Sequence, residues 1–100
     1  MSMWFSWVGA KRDGRNKIHF WGVLVHDHDH ITEKYIVWGP ASGPMHKRPV
    51  SKLEYLFAKK EQKIRNGYRA ITQEYIEKKF PEFLTEIEMI FMMEKLKNGT

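Results

Sequence analysis

The chain reads as an α+β fold: a small twisted antiparallel sheet with a packed helix and additional C-terminal helices. Alternating, β-branched and aromatic runs fill the first half. Clusters of Gly, Pro, Asp and Asn separate those runs. Charged runs with helical spacing of apolar residues fill the second half.

Trp4 to Ala10 alternates bulky residues and predicts a strand. Lys11 to Asn16 is a charged turn around the hairpin dipeptide Asp13-Gly14. Lys17 to Val25 predicts a second strand, with Gly22 marking a bulge or close packing. His26 to His30 is polar and reads as a loop. Glu33 to Trp38 predicts a third strand, with Tyr35 and Val37 on one face and Ile36 and Trp38 on the other. Gly39 to Pro44 is a bent loop, and Met45 to Val50 a short edge strand that tolerates Pro49.

Ser51 and Glu54 form a capping-box pattern for a helix running to about Asn66. Leu53, Leu56, Phe57 and Ile64 are its apolar side, and Gly67 stops it. Tyr68 to Ile71 reads as a last short strand or a linker. Thr72 to Phe80 predicts a second helix. Pro81 interrupts it and opens an amphipathic run to Leu96, so the helical extension covers about 72–97.

A length of 100 residues suits one domain, and 42% hydrophobic residues supply one core. Seventeen Lys and Arg against twelve acids leave a net charge of +5. That balance favours anionic partners, nucleic acid above all. The absence of cysteine excludes disulfides, thiolate chemistry and cysteine-type zinc sites. No apolar run spans a membrane, and the start lacks the pattern of a secretory signal, so a cytoplasmic location is expected.

Trp38-Gly39 at a strand end, followed by a helix ending Lys63-Ile64-Arg65-Asn66-Gly67-Tyr68, resembles the WGR domain family. The family is best known from poly(ADP-ribose) polymerases and short bacterial proteins. The resemblance covers Lys17 to Ile71, with Gly43 similar to the glycine that follows the motif. It implies a twisted antiparallel sheet crossed by one helix. It also implies that Trp38 approaches nucleic-acid ends or backbone. The motif's arginine is replaced by Pro40, and the stretches before Lys17 and after Ile71 are not part of the usual module.

The basic residues form the candidate nucleic-acid surface. Lys47 and Arg48 precede the helix, Lys52, Lys59 and Lys63 fall on one side of it, and Arg65 and Arg69 surround its end. Lys11, Arg12 and Arg15 form a second group at a hairpin tip. Such a surface follows a phosphate backbone by releasing counterions, and Trp38 can stack on an unpaired base. The bland alternative is the solvated side of an amphipathic helix.

His26, His28 and His30 would share one face of an extended strand and suit zinc or nickel. Alternating His/Asp runs also occur in exposed loops, and the reading here is no functional metal. No Gly-x-Ser-x-Gly elbow or phosphate loop is present, so neither an enzyme nor a cofactor is expected. The expected function is non-enzymatic nucleic-acid binding, DNA before RNA. The alternative is a protein-binding regulator or inhibitor, of the kind phages and mobile elements encode. It would use Ile87, Ile90, Phe91, Met92 and Leu96 to hold a partner protein or a second copy.

Overall fold

The structure is a computed structural model describing residues 2–42, 44–82, 84, 85, 87 and 89. Strands β1 (Ser2–Arg12) and β2 (Ile18–His28) form an antiparallel hairpin. Its turn differs from the expected Asp-Gly type. Asp13 opens the turn, its carboxylate accepts from the backbone N–H groups of Arg15 and Lys17, and Asn16 takes the left-handed conformation at φ 66°. The cause is an Asx turn, in which an aspartate side chain substitutes for a backbone acceptor.

A register shift between Phe5 and Trp7 breaks the period of β1. Residues two apart on a regular strand share a face. Here Phe5 pairs with Leu24 and Trp7 with the adjacent Val23, so the two rings enter opposite faces. Ser6 is the extra residue of a β-bulge that serves both.

The polar run 26–30 is a tight hairpin rather than an open loop. β2 continues through His28, Asp29 and His30 turn at φ 47° and 66°, and β3 (Ile31–Pro40) begins at once. Two successive positive φ angles suit the right-handed twist of the flanking strands. β3 also runs further than expected, through Gly39 and Pro40, which pair with Phe20 and His19. The amide of Ala41 donates to the Ile18 carbonyl at 2.8 Å. Pro40 therefore occupies the intervening pair without hydrogen bonds, where its missing N–H costs β2 nothing. Gly39 has φ 154°, and a Cβ there would meet the Pro44 carbonyl oxygen at 2.7 Å and Met45 Sδ at 2.8 Å.

β4 (His46–Pro49) and β5 (Arg69–Ala70) complete a five-stranded antiparallel sheet in the order β4-β3-β2-β1-β5. The fold is α+β, as expected. Helix α1 (Leu53–Arg65) covers one face, where Leu56 packs with Trp21, Val23 and Ile36. Helix α2 (Gln73–Lys79) covers the other, where Ile76 joins Val8, Phe20, Leu24, Tyr35 and Val37. Phe80 meets Phe20 edge-on, with ring centroids 5.1 Å apart.

The helix ends agree with the sequence in part. Gly67 at φ 100° and Tyr68 return their N–H groups to the carbonyls of Ile64 and Lys63, closing a Schellman motif. Thr72 caps α2 by accepting from the Tyr75 amide at 3.1 Å. The capping box does not form: the cap of α1 is Lys52, without a side-chain bond, one residue beyond Ser51. The apolar side is also misplaced, for Leu53, Phe57 and Ile64 are 53%, 63% and 49% exposed while Leu56 is buried. Past α2, the backbone at Pro81, Glu82, Leu84, Thr85, Ile87 and Met89 is helical. Gly43 and the rest of the predicted C-terminal helix lie outside the described residues.

Neighbouring positions on α1 thus differ sharply in what they support. Leu56→Ala should lower unfolding free energy by about 3 kcal/mol. Phe57→Ala should change it by less than about 0.5 kcal/mol. Urea denaturation at high protein dilution measures both, and equal losses would contradict the orientation of α1.

Candidate nucleic-acid interface

Leu56, Lys59, Lys60 and Lys63 recur at intervals of three and four residues, so they share one side of α1. That side faces the sheet. The three lysines are partly buried, and each ammonium lies over an aromatic ring. Lys59 Nζ is 5.7 Å from the Tyr55 ring, Lys60 Nζ 5.9 Å from Trp7, and Lys63 Nζ 5.5 Å from Tyr68. Arg48 reaches the same Tyr55 ring from β4, at 5.9 Å. Their apolar stems supply the burial, and the ring faces attract the charged heads without neutralising them. Burial also pushes the Tyr68 hydroxyl above its ordinary pKa, so Lys63 sits over a neutral phenol.

Trp38 stands at one end of this row. It is 37% exposed, and its ring stacks on His46 with centroids 5.6 Å apart and planes inclined by 26°. Trp38 pairs with His46 across β3 and β4, and Arg48 is two residues further along the same face. Diagonal neighbours of this kind lie about 7–8 Å apart. Lys11 stands near the other end, where a Cβ on Gly67 would lie 3.6 Å from Lys11 Cε. Lys52 is the exposed cap residue at the start of α1.

The remaining predicted cations do not join this row. Lys47 pairs with Val37 and lies over Tyr35 at 4.8 Å, on the α2 side. Arg69 pairs with Ala10, and Arg12 shares that face while donating to Asn16 Oδ1 at 2.9 Å. Arg15 projects from the hairpin turn, and Arg65 is exposed in the last turn of α1. Strand alternation divides the set, because consecutive basic residues on β4 must face opposite ways.

The three histidines do not all lie on one strand face, because His30 is in the turn after β2. His26 is buried on the α2 side, with Nδ1 3.8 Å from Glu33 Oε2, and His30 lies in the turn. The backbone of His28 is in β2. No group of three metal-ligating side chains occurs among the described residues. Ile87 is 3% exposed and belongs to the core, so it is not part of a docking surface. Ile90, Phe91, Met92 and Leu96 lie outside the described residues.

Sequence reasoning found the cations and missed their aromatic seats. Tyr55 four residues before Lys59 was a local signal for one seat. Tyr68 beneath Lys63 belongs to the local helix ending, while Trp7 beneath Lys60 and His46 beneath Trp38 follow from contacts between elements that spacing does not encode.

No protein-family model, no curated protein and no solved structure matches this chain. The likeness to the WGR family therefore rests on the residues that carry it. Among the described residues, no helix is long and apolar enough to cross a membrane.

The turn that presents Arg15 carries the clearest titration. Asp13 accepts from His19 Nε2 at 2.7 Å and from the Lys17 and Arg15 amides. The His19 bond is the largest influence, and together these bonds hold the carboxyl at about 2, below the usual carboxylate range. A depressed folded-state pKa stabilises the fold above the unfolded value of 3.8, and that contribution is lost as pH falls towards 2. An NMR titration should place the Asp13 midpoint near 2 in the wild type and markedly higher in His19→Phe.

Proposed function

We propose that this protein is a non-enzymatic, cytoplasmic nucleic-acid-binding module. It favours DNA over RNA and uses the α1 side of the sheet. The supporting observation is the row Trp38–Arg48–Lys59–Lys63: cations ordered over aromatic rings, with an exposed indole at one end. A lysine seated on a ring keeps its charge and has lost rotamer freedom before a ligand arrives. Phosphates of one strand would then follow Arg48, Lys59 and Lys63, and an unpaired base would stack on Trp38.

The WGR resemblance supports the same surface, since Trp38 occupies the motif position from which that family approaches nucleic-acid ends or backbone. Pro40 cannot supply the motif's charge. Arg48 supplies a guanidinium on the same face, one strand away. The contacts are to backbone, so little sequence preference is expected.

Fluorescence anisotropy with labelled single-stranded, blunt duplex and RNA oligonucleotides, each at two salt concentrations, tests this reading. Affinity should fall steeply with salt, with each lost phosphate contact lowering the logarithmic slope by about 0.7–0.9. Arg48→Glu combined with Lys59→Glu and Lys63→Glu should abolish binding, and Trp38→Ala should weaken it by about 1–3 kcal/mol. Salt-insensitive binding, or equal binding by the triple variant, would reject the proposal. A protein partner that survives nuclease treatment and replaces nucleic acid altogether would favour the regulator class.

A further inference from the structure

Two histidines flank Trp38 on the α1 side of the sheet, and their surroundings differ. His19 pairs with Pro40, two residues along β3 from Trp38. Its Nε2 lies 2.7 Å from Asp13 Oδ2, so any charge on its ring is matched by a carboxylate. His46 is exposed, pairs directly with Trp38 and stacks on the indole with ring centroids 5.6 Å apart. The charged groups around His46 are cations. Arg48 shares its face of β4, and Arg48 and Lys59 both lie over the Tyr55 ring of α1. The β3 residues opposite and diagonal to it, Trp38, Ile36 and Pro40, carry no charge. Neither do Ala41, Ser42, Pro44 and Met45, which lead into β4. The acids Glu54 and Glu61 of α1 lie roughly 160° and 140° from Leu56 around the helix, on the side turned away from the sheet.

On the nucleic-acid reading of this surface, we infer that His46 is a conditional member of the cation row: its protonated ring contacts phosphate at the Trp38 end, so binding takes up a proton and tightens in acid. Histidine is the side chain that ordinarily changes charge between about pH 5 and 8. A neutral His46 is only a seat for Trp38. A protonated one holds the indole by a cation–π contact and sets a positive charge beside Arg48. A phosphate placed there accepts from both rings' donors, guanidinium and imidazolium, in charge-assisted bonds. By linkage, a ligand that prefers the protonated form also promotes protonation. His19 does not act this way, because Asp13 already answers its charge and would face an incoming phosphate.

Fluorescence anisotropy with a labelled oligothymidylate at constant ionic strength tests this. Wild-type affinity should rise about fivefold between about pH 8 and about pH 5.5, the worth of one exposed ion pair. His46→Gln should stay at the alkaline wild-type affinity throughout, and His46→Arg at the acidic one. His19→Gln should keep the wild-type response. Calorimetry in two buffers of different ionisation heat should record proton uptake on binding by the wild type and none by either His46 variant. Wild-type binding that is lost in the Arg48, Lys59 and Lys63 triple variant yet indifferent to pH would overturn the inference and leave the nucleic-acid reading standing. So would a pH response that survives in both His46 variants. Failure of the wild type to bind at any pH rejects the nucleic-acid reading, and the role of His46 falls with it.

Discussion

Everything in this fold follows from β2 being buried on both faces. Phe20 and Leu24 belong to the α2-side core, and Trp21 and Val23 to the α1-side core. A two-faced central strand cannot tolerate a one-residue slip, since a slip would exchange the two cores. Its neighbours must deliver side chains to both faces as well. β3 does so by simple alternation of Val37 and Ile36. β1 needs the Ser6 bulge, and Gly22 supplies the room: a Cβ there would stand 2.9 Å from the Phe5 ring and 3.1 Å from the Trp7 carbonyl oxygen. The bulge and the glycine are two parts of one solution.

The same constraint explains the unusual face of α1. Trp7 and Trp21, tilted at 57° with centroids 5.9 Å apart, already cover much of the sheet beneath the helix. Leu56 is seated among Trp21, Val23 and Ile36, with Trp7, Val50, Tyr55 and Tyr68 packed around them. A ring face accepts a lysine more readily than an aliphatic pocket does, because its negative quadrupole meets the ammonium while the stem packs on carbon. With Leu56 seated on the sheet, the Lys59–Lys63 side is inward and Phe57 and Ile64 are left outside. Each cation–π contact contributes only about 0.5–1 kcal/mol at a half-exposed site. Lys60 over Trp7 and Arg48 over Tyr55 join α1 to the sheet, whereas Lys59 over Tyr55 lies within the helix, so the burial of Leu56 is the main orienting contact.

Much of this was legible from local chemistry. The aromatic and β-branched content of β2, the alternation of β3 and the Lys63-to-Tyr68 helix ending each depend on a few adjacent residues. The failures share one cause: a tertiary demand overrode a local pattern. Ser51-x-x-Glu54 is a sound capping box, yet Val50 is still tied to Lys34 by a 2.9 Å backbone bond, and the chain turns into α1 only after Ser51. The amphipathic reading of α1 placed Leu53, Phe57 and Ile64 on one side with Leu56, whereas Leu56 alone of the four is buried against the sheet. The His/Asp run looked like a loop because its polarity hides a pattern in which His26 points inward and Asp29-His30 turn. At the site, the identity of the cations was legible, but their division between two faces was set by β4, whose four residues are too few for pattern reading.

Two chemically different surfaces thus sit on one short helix, separated by less than half a turn of its circumference. Lys60 reaches a ring of the sheet, Trp7, whereas Tyr55 beneath Lys59 is on the helix and Tyr68 beneath Lys63 follows its C-terminal stop. Leu56 seated on Trp21, Val23 and Ile36 fixes which side of α1 is inward, so the partly buried lysines beside Leu56 and the exposed Leu53, Phe57 and Ile64 are coupled outcomes of the same packing.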